Sequence, residues 1–118
     1  MDMEELLFMI YGTHPKSRKL YNEAQTIINL VREKGEISRE ELASALNIDL
    51  NSYNGKKHFY NLISPMFNRI LISEHRGKMV YYRLSYDLFR VYIDGIRRKA
   101  KYYLLKNADN DKEDQDLR

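Results

Sequence analysis

Apolar residues recur along this chain with two spacings, and the change between them divides it. In "MEELLFMIY" (3–11), Met3, Leu6, Leu7 and Ile10 share one helical face, and Gly12 is placed to end the segment. Pro15 suits the first turn of a second helix, where its missing N–H costs nothing. In that helix Leu20, Ala24, Ile27, Ile28 and Val31 keep the spacing of a core face, and Lys34-Gly35 closes it. "EIS" (36–38) is a short extended piece. Ser38 and Glu41 then form an S-x-x-E capping box, opening a third helix with Leu42, Ala45 and Leu46 on its apolar side. After the turn "NIDL" a fourth helix is predicted to begin near Asn51 or Ser52. Phe59, Leu62, Ile63, Met66, Phe67 and Ile70 make its core face, and Pro65 inside it predicts a bend or weakened last turns.

From Ile70 the period shortens to two. "ILIS", the tip Arg76-Gly77-Lys78 and "MVYYRLS" read together as an antiparallel β-hairpin. Ser85 is positioned to cap a last helix, "YDLFRVYIDGIRRKAKYYLLK". There Phe89, Ile93, Ile96, Ala100 and Leu104 form one stripe with Tyr92 and Tyr103 beside it, while Val91, Tyr102 and Leu105 lie opposite. A helix apolar on two faces covers its own domain with one and buries the other against a partner. With the apolar stripe of residues 3–10, this predicts a homodimer held by the terminal helices.

Composition narrows the classes. At 118 residues the chain is long enough for one domain, predicted over residues 1–106. Residues 107–118 ("NADNDKEDQDLR") hold five acids and two bases and almost nothing to bury, so they are expected to form a disordered acidic tail. The rest of the chain then carries +6, which fits a polyanionic partner. The longest apolar run, "LLFMIY", is too short to span a membrane. Glu4 and Glu5 stand where a secretion signal needs positive charge, so a cytoplasmic location is expected. There is no cysteine, hence neither disulfide nor thiolate chemistry.

Several chemistries fail on spacing. "GTHPKS" (12–17) has proline where a phosphate loop needs glycine before its lysine. His14, His58 and His75 lack paired metal-ligand spacing, so no metal site is expected. No nucleophile–base constellation is visible, so the chain is not expected to be an enzyme; no cofactor and no small-molecule ligand are implied.

The stretch "ISREELASALNIDLNSYNGKKHFYNLISPMFNRILIS" (37–73) and the basic turn with its following strand, "RGKMVYYRLS" (76–85), resemble the winged helix-turn-helix transcription regulators. That family is meant in the broad sense covering the ArsR-, MarR- and PadR-type repressors. The likeness spans about residues 16–85. Many relatives have glycine where the third helix of that fold meets the strand; here the junction is Asn68-Arg69-Ile70. The cysteines of the metal-sensing members are absent, so that activity does not carry over. The resemblance implies a mainly α fold with a small antiparallel β-hairpin, a winged helix-turn-helix with additional N- and C-terminal helices. It also implies double-stranded DNA as partner, bound by a dimer.

Helical spacing selects the residues for that role. With Phe59 at the centre of the buried face, Asn54, Lys57, Asn61 and Asn68 fall on the opposite side. Asparagine can pair twice with adenine and lysine can donate to guanine. Tyr53, Lys56, His58 and Tyr60 flank the stripe and are candidates to reach phosphate or sugar. Arg76 and Lys78 at the hairpin tip are candidates for phosphate or the minor groove. Lys16, Ser17 and Arg39, near helix starts, are secondary phosphate candidates. The expected function is therefore a sequence-specific transcription regulator. The alternatives are an architectural DNA-binding protein with little sequence preference, or a winged-helix module that binds protein.

Overall fold

In the computed structural model, which describes residues 1–12 and 18–106, the helices start and stop where their free backbone groups find partners. Helix α1 (Met3–Tyr11) begins at Asp2, whose carboxylate accepts the Glu5 amide at 2.8 Å. It ends at Gly12, in the left-handed region at φ +80°, whose N–H reaches the Phe8 carbonyl at 2.7 Å. Helix α2 (Arg18–Lys34) ends in the same way at Gly35. The start proposed for it at Pro15 lies outside the described residues. Strand β1 (Ile37–Ser38) leads into α3 (Arg39–Ala45), where the Ser38 hydroxyl accepts the Glu41 amide at 3.1 Å. The other half of the capping box gives way to an ion pair, the Glu41 carboxylate turning to Lys34. Ala43, not Ala45, is the buried alanine of α3. Leu42, Ala43 and Leu46 form the apolar edge, and Ala45 is exposed.

Helix α4 (Tyr53–Ile63) is capped by Ser52, whose hydroxyl accepts the Gly55 amide at 2.9 Å. It is shorter than the apolar pattern predicts. Pro65 has no N–H to return to the Asn61 carbonyl, and the helix passes into a single 3-10 turn at Ser64–Met66. Met66 and Ile70 are buried as the periodicity predicts, but a turn delivers them rather than a helix. Asn68 is carried off the helix altogether, into the left-handed region at φ +64°. There it does the work that glycine most often does at such a turn, because asparagine tolerates that conformation better than other residues with a β-carbon.

Strands β2 (Leu71–Arg76) and β3 (Met79–Leu84) pair antiparallel from Leu71–Leu84 to Arg76–Met79. The two-residue turn between them has Gly77 at φ +62° and Lys78 in the ordinary range, the pattern of a type II′ turn. Strand β1 joins the free side of β3 through Ile37–Tyr82 and Ser38–Tyr81, giving the order β1-β3-β2. Helix α5 (Tyr86–Leu104) starts at Ser85, which accepts the Leu88 amide at 3.1 Å. The architecture is a winged helix-turn-helix with one helix added at each end.

One apolar core joins these parts. Ala24, Ile27, Ile28 and Val31 of α2, with Phe59, Leu62 and Ile63 of α4, meet Tyr82 of β3 and Leu7 and Ile10 of α1. Burial pushes the Tyr82 phenol up to about 12. Tyr11 donates its hydroxyl to the Leu62 carbonyl, tying α1 to the end of α4, and its own burial also raises its pKa. Helix α5 contributes no fully buried residue. Its stripe is covered near Phe89 and open at Ile96, Ala100 and Leu104.

Two backbone positions allow direct tests. A β-carbon on Gly55 would lie 2.1 Å from the Asp49 carbonyl oxygen and 2.7 Å from the Ser52 hydroxyl, so the turn is packed against the first turn of α4. Gly55→Ala, which in an open helix gains about 1 kcal/mol, is expected to lower the melting temperature; a rise would show that the Asp49 turn yields freely. At residue 68, Asn68→Gly should leave thermal stability unchanged or raised. Asn68→Val should cost about 1–2 kcal/mol in chemical denaturation, and equal stability of the two variants would mean the turn does not need its left-handed residue.

Candidate nucleic-acid interface

Helix α4 carries no acidic residue in its eleven positions. Phe59, Leu62 and Ile63 anchor one side in the core. On the other, Asn54, Lys57 and Asn61 are all exposed, in the single stripe their spacing predicts. Tyr53, at the first position, is 79% exposed, and Lys56 is exposed beside it. The unpaired N–H groups of the first turn add partial positive charge at this end. The face is thus polar, donor-rich and uniformly non-negative, on a helix fixed from behind by the core and by Tyr11.

The flanking candidates divide. His58 is half-buried and turned toward α2, with Nε2 at 2.9 and 3.1 Å from the two carboxylate oxygens of Glu23. It braces α4 against α2 and does not join the exposed stripe. Arg39 donates to the Tyr60 hydroxyl at 3.2 Å and pairs with Glu40 at 3.3 Å. The Tyr60 hydrogen bond holds its guanidinium pKa above the ordinary arginine value. With Lys56, Leu50 and Asn51 these residues line a cleft of about 290 Å³ between α3 and α4. Lys16 and Ser17 lie outside the described residues.

At the wing, the two tip cations have different surroundings. Arg76 makes a two-pronged pair with Glu36, in the loop before β1, one contact being 2.8 Å. It also bonds Glu74 at 2.9 Å, and its guanidinium lies over the Tyr81 ring, 4.6 Å from the centroid. The hydrogen bonds to Arg76 hold both carboxyls below their ordinary range and raise the arginine itself. Lys78 stands exposed in the turn, and no carboxylate pairs with it among the described residues. Arg76 therefore fastens the wing to the loop before β1, while Lys78 presents its charge outward.

Sequence spacing found the α4 stripe but not these fasteners. Glu74 and Arg76 share a strand face and Tyr81 pairs with Glu74 in register, so that part was within reach of a strand pattern. Glu36 and Glu23 come from distant segments and carry no local signal. Among the described residues no group of three or more histidines and carboxylates is arranged to hold a metal ion. No described helix is long and apolar enough to cross a membrane.

Glu36→Gln removes the charge on the distal side of the clamp. The tip around residues 76–79 is then expected to show lower backbone NMR order parameters, with the far-ultraviolet dichroism unchanged. Identical order parameters would show that the turn alone sets the wing. Compared with protein-family models, with curated proteins and with solved structures, the chain finds no match.

Proposed function

We propose that the chain is a sequence-specific DNA-binding transcription regulator that acts as a homodimer, with α4 in the major groove and the wing on the adjacent backbone. The observation that carries this is the acid-free outer face of α4, with Asn54, Lys57 and Asn61 exposed together on a helix whose back is buried. The winged helix-turn-helix architecture supports it, because that fold offers this helix to a groove. Asn54 and Asn61 read adenine edges, and Lys57 reads guanine. Lys56 and Lys78 meet phosphates; Arg76 sets the angle at which the wing approaches.

Titration of variants against a selected duplex and a scrambled one, at three salt concentrations, tests this. Asn54→Ala and Asn61→Ala should each cost about 1–3 kcal/mol on the selected duplex and little on the scrambled one. Lys78→Ala should weaken both alike and lower the salt slope by about one. Equal losses on both duplexes for the asparagine variants would remove direct readout and favour an architectural DNA-binding protein.

A further inference from the structure

The outer half of α5 leaves uncovered the apolar side chains that a core helix buries. In its first half Phe89 packs on the core, and Tyr92 donates to the Met9 carbonyl at 3.2 Å. The face that Phe89 begins continues by helical spacing through Ile96, Ala100 and Leu104, beyond the point where the domain beneath it ends. There Tyr102, Tyr103, Leu104 and Leu105 are 63%, 80%, 80% and 51% exposed. At the other end of the same helix is an apolar groove of about 300 Å³. Met1, Leu6, Ile28, Ile70, Leu84 and Phe89 line it, with Tyr86 at its rim.

We propose that this groove seats the Tyr103–Leu104 arm of a second copy of the chain, the two α5 helices running antiparallel about a two-fold axis. Phe89 and Leu104 are fifteen residues apart, about 22 Å along the helix. An antiparallel pair therefore sets each arm over the other copy's groove, and one two-fold contact fills both at once. The charge left after local pairing favours the same occupant. At the groove end Glu4 pairs with Arg18 and Asp87 with Arg90, leaving Asp2 and Glu5, whereas at the arm end Arg97 pairs with Asp94, leaving Arg98, Lys99 and Lys106. A parallel pair would bring the basic ends together. The seating deepens the homodimer of the proposed function and needs no DNA.

The chain has no cysteine of its own, so single-cysteine variants give an unambiguous test. Tyr86→Cys and Leu104→Cys replace side chains that are 77% and 80% exposed, so both variants should fold. Mixed, exchanged and briefly oxidised without DNA, they should give a disulfide-linked species of twice the 14.2 kDa chain mass. That species should form at least tenfold faster than from either variant alone. Leu104→Cys linking to itself as fast as the mixture, or a mixture that does not link, overturns the seating. Light scattering of the unaltered chain at tens of micromolar should give the doubled mass, and a single-chain mass overturns the seating as well. Tyr103→Glu with Leu104→Glu should halve the mass while the circular dichroism stays native; a persistent dimer overturns the role of the arm. A doubled mass with no cross-link in the mixture sinks this geometry while leaving the dimer intact, and neither result depends on whether α4 reads bases.

Discussion

The contact between Phe59 of α4 and Tyr82 of β3, ring centroids 6.5 Å apart, is the one on which the remaining geometry depends. Both rings are buried, and burying side chains of this size dominates the energetics of a small core. Phe59 fixes the rotation of α4 about its axis, which decides that Asn54, Lys57 and Asn61 face outward. Tyr82 sits opposite Ile37 in the sheet, so the same contact holds β1 and, through Ser38, the start of α3. Helix α4, helix α3 and the wing are thus three attachments to one aromatic pair. A truncation at either ring would disturb all three together, by the several kcal/mol typical of an emptied aromatic site.

Polar fasteners then adjust what the core leaves loose. They lie at the margins: Glu23 with His58, Arg39 with Tyr60, and Arg76 with Glu36 and Glu74. All are at least partly exposed, so each supplies orientation more than stability. Among the described residues no polar or charged residue is buried in the core. The division of labour is clear: apolar contacts hold the fold, and ion pairs orient the exposed parts around it.

Local rules were the most legible part of the fold. Ser38 and Ser85 announced their helices because a cap acts over three residues, and Gly12 and Gly35 marked helix ends by their conformational freedom. The outward stripe of α4 followed from periodicity alone. Helical spacing does not reach Asn68, because the backbone changes at Pro65 before the chain arrives there. Ala43 and Ala45 could not be told apart, since a seven-residue helix holds too few turns for its buried face to be averaged. The partners of Arg76 and His58 were invisible for a different reason. Arg76 meets Glu36 across forty residues and His58 meets Glu23 across thirty-five, and only the assembled sheet and helix pair bring them together.

If α4 reads DNA as proposed above, Pro65 has one more effect, on information rather than on stability. By ending α4 at Ile63 it limits the helix to eleven residues, about 16 Å, or roughly five stacked base pairs. A word of about five letters recurs by chance about once in a thousand positions, far too often to mark one address among the millions of competing sites a genome offers. Two such words at a fixed separation recur about once in a million. On that proposal, a proline placed to release the chain into a sheet would cap what one copy can spell, and leave any finer address to be written by two.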